Sequence, residues 1–173
     1  MEAFLAARAE AQAARLLEIR PLSGGAIQEN WLLEADFDGG RLAGRHDLVL
    51  RTDAPSAVPV SLSRMQEFAV LRAAWQAGVS VPEPLWACDD PAVLPTPFFV
   101  MRRVNGVALA HKVVRDSSLG GDRQALAERL GGELARIHSI RPPHPDLDFL
   151  PLPEPDPARA AVVRYRRYLD ALG

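Results

Sequence analysis

Cysteine is nearly absent from this chain. Its 173 residues include one, Cys88, so no intramolecular disulfide can form, and a reducing cytoplasm is the simplest compartment. An excess of charge of either sign is lacking too. A net charge of −2 gives no reason to expect nucleic acid or an anionic membrane as the main partner. No apolar run reaches the roughly 18 residues of a transmembrane helix, and the alanine-rich stretch from Met1 to Glu18 carries charges throughout, unlike the apolar core of a signal peptide. No internal repeat is visible. His46, His111 and Cys88 stand isolated, without metal-ligand spacing, so no metal-binding residue is assigned. A nucleophile-elbow motif and a basic stripe interleaved with aromatics are also missing.

Proline is plentiful. Its fifteen copies cluster at Pro82–Pro97 and Pro142–Pro157, which marks both stretches as loop-rich. Between them the pattern changes along the chain. Glu2 to Glu18 reads as a helix, because alanine is the best helix former. Ile19–Leu22, Trp31–Phe37 and His46–Arg51 read as strands, the last two joined by the turn Asp36–Gly40, so that a small antiparallel meander is expected. Ser63 caps a helix, with Gln66 three residues on completing a capping box. Met65, Phe68, Ala69 and Trp75 form its apolar face, and Gly78 sits where a helix-ending glycine belongs. Leu85–Cys88 and Phe98–Met101 are two more strands, followed by the polar linker Arg102–Gly106. Beyond it Asp122 caps a helix to His138, with Leu126, Leu130, Leu134 and Ile137 on one stripe. Ala158–Leu172 is a final helix with Val162, Tyr165, Leu169 and Leu172 in register. A strand-rich half, a linker and a helix-rich half imply two lobes.

The stretch Asp47–Gln76 organises the rest. Period-2 geometry puts Val49 and Arg51 on one strand face and Leu48 and Leu50 on the other, and a helix carrying Glu67 follows. A strand-end cation with a helix carboxylate is how a kinase-like fold holds nucleotide phosphates. The same two residues also fit an exposed strand end and a solvated helix face.

The order of these parts resembles the aminoglycoside phosphotransferase and choline kinase-like family, small-molecule kinases with a protein-kinase-like fold, and most of all the bacterial members similar to kinase-like domains fused to some acyl-CoA dehydrogenases. Four stretches between Ile19 and Ile140 carry the resemblance. Leu22-Ser23-Gly24-Gly25-Ala26-Ile27-Gln28-Glu29-Asn30-Trp31 is similar to the family's phosphate-covering turn, with Gly24 and Gly25 offering close backbone approach. It departs from the pattern at Ile27, where relatives carry a small polar residue, and it also reads as an ordinary Gly-Gly loop. Arg51 stands at the place of the kinase lysine, and Glu67 matches the helix glutamate that orients it. Phe99–Gly106 is similar to the interlobe hinge. The match places Met101 at the back of the adenine pocket, where it also serves as core, and the Arg102 carbonyl and Val104 N–H at the adenine edge.

The fold class implied is α+β: a protein-kinase-like N-lobe of a five-stranded antiparallel sheet plus helix, then the first helices of an incomplete helical C-lobe. The implied divisions are an N-terminal helix at 1–18, the N-lobe at 19–103, and hinge with partial C-lobe at 104–173. The family transfers the γ-phosphate of ATP, with magnesium, to a small-molecule hydroxyl. Its catalytic Asp, the Asn five residues later and a further metal-binding Asp have no match in this chain. His144-Pro145-Asp146-Leu147 imitates the loop, but Pro151 stands five residues after Asp146. His138, at a helix end, reads as a packed or capping histidine. No catalytic residue is therefore assigned, magnesium ligands are expected beyond Gly173, and the chain alone is expected to be inactive. Two other readings stay open: a non-catalytic nucleotide-binding or pseudokinase module, and a structural interaction domain. Self-association through exposed C-lobe helices is also expected.

Overall fold

Leu48, Val49 and Leu50 alternate across a strand that ends up covered on both sides. This strand, β3 (Gly44–Asp53), lies at the centre of a five-stranded antiparallel sheet of order β1-β2-β3-β5-β4. Its neighbours are β2 (Gln28–Asp38) and β5 (Phe98–Arg102), with β1 (Ala13–Pro21) and β4 (Pro84–Cys88) at the two edges. The computed structural model describes residues 1–22, 28–53, 61–107, 109–152 and 154–171. They fall into two compact units, Met1–Arg141 and Pro142–Gly173.

The register assigns each strand residue a face. Leu33, Ala35 and Phe37 of β2, Leu48 and Leu50 of β3, and Phe98 and Val100 of β5 form one buried cluster. Helix α1 (Glu2–Ala9) covers that cluster with Leu5 and Ala9, and Phe4 meets Phe98 edge-on at 5.3 Å between ring centroids. The opposite face carries Asn30, Leu32, Val49, Arg51, Phe99 and Met101. Helix α2 (Arg64–Gln76) lies against it, Phe68 reaching Phe99 at 5.9 Å. The capping box is present: Ser63 Oγ accepts from the Gln66 N–H and the Gln66 side chain accepts from the Ser63 N–H. Gly78 takes a φ of +77° just beyond the helix.

The expected helix Glu2–Glu18 is corrected: it ends at Ala9, and Ala13–Pro21 is a strand. Glu10 turns the chain at a left-handed φ of 57°, and residues 13–21 pair with β2 from Ala13 opposite Asp38 to Pro21 opposite Trp31. Alanine's helix propensity, a few tenths of a kcal/mol per residue over ordinary residues, yields to a whole strand of ladder hydrogen bonds. A bulge interrupts the ladder between Leu16 and Glu18, and the Leu16 N–H donates to Glu2 Oε1 of α1 at 2.8 Å. Gly40 (φ +74°) is required where the β2–β3 turn meets the end of α1, because a Cβ there would lie 2.3 Å from the Ala9 carbonyl oxygen.

One residue of α2 reverses its expected position, and another, given no place by the pattern, is buried. Trp75 is 46% exposed, whereas Arg64 is 1% exposed. By the last turn the buried residue is Ala73, small enough for close approach, and Trp75 lies off that side.

Beyond β5 come α3 (Ala110–Arg115), a short helix that the pattern does not set apart, and α4 (Arg123–Ser139), capped as expected by Asp122, which accepts from the Ala125 N–H. In the second unit α5 (Pro157–Asp170) begins at Pro157, one residue ahead of the expected start, with Asp156 accepting from the Arg159 N–H. The stripes Leu130–Leu134–Ile137 of α4 and Val162–Tyr165–Leu169 of α5 are exposed. No described helix is long and apolar enough to cross a membrane.

Candidate functional site

The sheet face under α2 ends in a cation. Arg51 and Phe99 are directly opposed in the β3–β5 register, and Asn30 lies opposite Arg51 on β2. Arg51 Nη2 lies 2.8 Å from Glu67 Oε1 of α2, and its Nη1 donates to Asn30 Oδ1 at 3.4 Å. Both members of the ion pair keep about a quarter of their side-chain surface exposed, 24% and 26%, enough to be reached by a ligand. They border an open cleft of about 370 Å³ whose other walls are Val70, Leu71 and Ala74 of α2, Val81 and Pro82 before β4, and Phe99 and Met101 of β5. An apolar slot with one charged pair at its border suits a ligand with a flat apolar body and an anionic end.

Glu67 has a second guanidinium partner. Arg64, buried at the start of α2, directs Nη1 to Glu67 Oε2 and donates from Nη2 to the Leu62 carbonyl at 3.0 Å. Its Nε stands 2.9 Å from Asp53 Oδ1 at the end of β3, a charge contact at hydrogen-bond distance without hydrogen-bond alignment.

The strand leading out of the cleft is pinned on both sides. Arg103 bonds Asp47 twice, through the backbone N–H (3.2 Å) and through Nη1 to Oδ2 (2.6 Å). That pairing turns the backbone groups of Arg102 toward the β4 side. There its N–H donates to the Glu83 carbonyl at 2.9 Å, and its Nε meets Glu83 Oε2 at 2.6 Å. Arg102 Nη1 also reaches His46 Nδ1 at 3.3 Å. Val104, just beyond, is exposed.

Helix α4 braces the Val81–Pro82 wall. Glu133 accepts from both the hydroxyl (2.6 Å) and the N–H (2.9 Å) of Ser80, the residue before Val81. The Ser80 hydroxyl, then its N–H, hold the Glu133 carboxyl below its ordinary range, against a smaller upward push from desolvation and with help from Arg136. A carboxyl with a depressed folded-state pKa contributes stability above its unfolded value and loses it as pH falls through the depressed one. Glu133→Gln is accordingly expected to unfold slightly more easily than the parent at neutral pH, with the two urea midpoints converging in acid. A gap unchanged by acid would mean that the contact does not depend on the charge.

Of the residues singled out from the sequence, Arg51, Glu67 and Met101 meet at one cleft, and Arg102 and Val104 follow at its exit. Gly24 and Gly25 lie outside the described residues. Asn30, Arg64 and the cleft walls from α2 and the β4 approach were not singled out. His138 is exposed at the end of α4. In the His144–Leu147 stretch the ring Nδ1 accepts from the Asp146 N–H at 3.3 Å, a local turn. Among the described residues no group of three or more His, Cys, Asp and Glu is placed to hold a metal ion.

A cation on the third strand, paired to the following helix beside a cleft that leads to a pinned exit strand, is the layout of a kinase N-lobe. A family model described as "Phosphotransferase enzyme family" matches residues 18–173. The chain belongs to this family. Among curated proteins, acyl-CoA dehydrogenase family member 11 of Homo sapiens is 32% identical over 132 residues, covering 69% of this chain and 16% of that protein. The member 11 protein of Gallus gallus is 36% identical over 113 residues, 61% of this chain and 13% of that protein. Acyl-CoA dehydrogenase family member 10 of Mus musculus is 31% identical over 104 residues, 58% of this chain and 9% of that protein. The chain thus spans at most 16% of the length of these three relatives. Its five-stranded antiparallel sheet with helices is the α+β, kinase-like N-lobe of the phosphotransferase family.

Proposed function

We propose that this chain carries the ATP-binding part of a small-molecule kinase that moves the γ-phosphate of ATP onto a substrate hydroxyl. The observation that carries this reading is the Arg51–Glu67 pair, 2.8 Å apart at the border of an otherwise apolar cleft. In this reading Arg51 holds the phosphates, Glu67 orients Arg51, and the adenine enters the slot between Val81 and Met101. Met101 closes the back, and the Arg102 carbonyl and Val104 N–H read the adenine edge. Gly24 and Gly25 cover the phosphates. Residues 19–103 make the nucleotide-side lobe, and 104–173 the hinge and opening helices of the second lobe. Magnesium would accompany the ATP in this reading, and no ligand for it is assigned among the described residues. The acceptor is an aminoglycoside, a choline-like or sugar alcohol, or a hydroxyacyl thioester. The likeness to proteins named as acyl-CoA dehydrogenase family members favours the thioester.

The absence from the sequence of a His-x-Asp loop with an Asn five residues later favours a second reading for the chain by itself, a nucleotide-binding module without chemistry. Calorimetry with magnesium ATP tests the shared core of both readings. Purified 1–173 is expected to bind ATP in the range of roughly 1 μM–1 mM usual for enzyme substrates, and to show no phosphoryl transfer. Silence across that range overturns ATP binding. Turnover that survives purification and disappears in Arg51→Ala overturns the expectation of inactivity.

A further inference from the structure

We infer that Arg64 is the positioning residue of this site, holding Glu67 so that one carboxylate oxygen is presented to Arg51. The inference deepens the ATP-binding reading and rests on it for its functional consequence.

Arg64 is in an electrostatically poor place. As the first residue of α2 it puts a cation at the positive end of the helix dipole, and at 1% exposure it has almost no water to solvate it. Such a group persists where its partners compensate it, and Arg64 has three: Asp53, Glu67 and the Leu62 carbonyl. The planar fork of a guanidinium can address several oxygens at fixed angles, which an ammonium cannot.

The consequence lies in how Glu67 is divided. Oε1 faces Arg51 and Oε2 faces Arg64. A carboxylate engaged through one oxygen can still swing about its last torsions, whereas one engaged through both is fixed in orientation. Asp53, two residues after Arg51 on the same strand, is the other anchor of Arg64. Arg64 therefore ties the strand that carries Arg51 to the helix that carries Glu67, alongside the pair itself. The two guanidiniums and two carboxylates are matched in charge across these contacts.

The test combines a binding cycle with a structure. ATP affinity is measured for the parent, Arg64→Met, Glu67→Gln and the double variant, with Arg64→Lys as the second variant should Arg64→Met not fold. If Arg64 acts through Glu67, each single change weakens binding about tenfold, and the double variant is no weaker than the worse single one. Fold-losses that multiply would show Arg64 to be a general stabiliser and overturn the inference. A crystal structure of the Arg64 variant without nucleotide supplies a reading independent of ATP. The Glu67 carboxylate is expected to turn away from the orientation in which Oε1 faces Arg51 Nη2. A carboxylate still in that orientation overturns the inference whether or not ATP binds. A turned Glu67 together with no ATP binding by the parent overturns the nucleotide reading and leaves Arg64 as the residue that positions the pair.

Discussion

Arg51→Met is expected to weaken ATP binding by about 10- to 100-fold while the protein stays folded. A hydrogen bond to a charged group contributes about 1.5–3 kcal/mol, which converts to that range of affinity. Methionine keeps the apolar stem against the sheet face and removes only the guanidinium. The fold is expected to tolerate the change because Glu67 keeps its contact with Arg64, so no acid is left buried and alone. The pair is also partly exposed, which limits its contribution to stability to about 1 kcal/mol or less. Arg51→Lys should fall between parent and methionine, since a lysine retains the charge but not the fork. Calorimetry with ATP and urea unfolding on the same samples check both halves. Parent-like affinity in Arg51→Met would remove Arg51 from the phosphates.

Phe98→Ala is expected to cost about 3–5 kcal/mol, as buried Phe→Ala changes do. Against a usual total of about 5–15 kcal/mol, that removes roughly a fifth or more of the stability. Phe98 is fully buried between the sheet and α1, edge-on to Phe4 and among Leu48, Leu50 and Val100. It has no surface in the cleft. Its neighbour Phe99 points to the other face, packs on Phe68 and lines the cleft. The two alanine variants should therefore separate. Phe98→Ala loses stability and keeps its ATP affinity wherever it is folded, whereas Phe99→Ala loses both. Urea unfolding followed by far-UV circular dichroism reads the first effect. A loss under about 1 kcal/mol for Phe98→Ala would mean that α1 does not close that face of the core.

The parts of this fold that were legible in the sequence are those encoded locally. Alternation placed Leu48 and Leu50 opposite Val49 and Arg51. Side chains able to reach back to a helix start marked Ser63 and Asp122, and both caps are present. The strand–loop–helix order brought Arg51 and Glu67 into view as partners. What stayed hidden depends on distant partners. Nothing near Ala9 marks the end of α1, since neither glycine nor proline stands there. The strand that follows exists because β2 offers it a ladder. The burial of Arg64 has no counterpart in the apolar pattern, and placing Trp75 on the apolar face assumes that the stripe keeps to one side along the whole of α2. One clue was available: an arginine directly after an N-cap opposes the helix dipole, which points to acidic partners nearby. Asn30 could be recognised only once the β2–β3 register set it opposite Arg51.

The Leu16 amide given to Glu2 has a consequence for how molecules of this protein meet. An open sheet edge invites a strand from another copy to continue the ladder. On β1 the outward row of donors is broken midway, first by the bulge and then by a carboxylate that belongs to the protein's own first helix. On β4, at the opposite border, Pro84 has no N–H to give and the register slips before Trp86. Both borders of the sheet thus discourage templated growth into fibrils, and crowding of the folded lobe should leave it free of cross-strand aggregates.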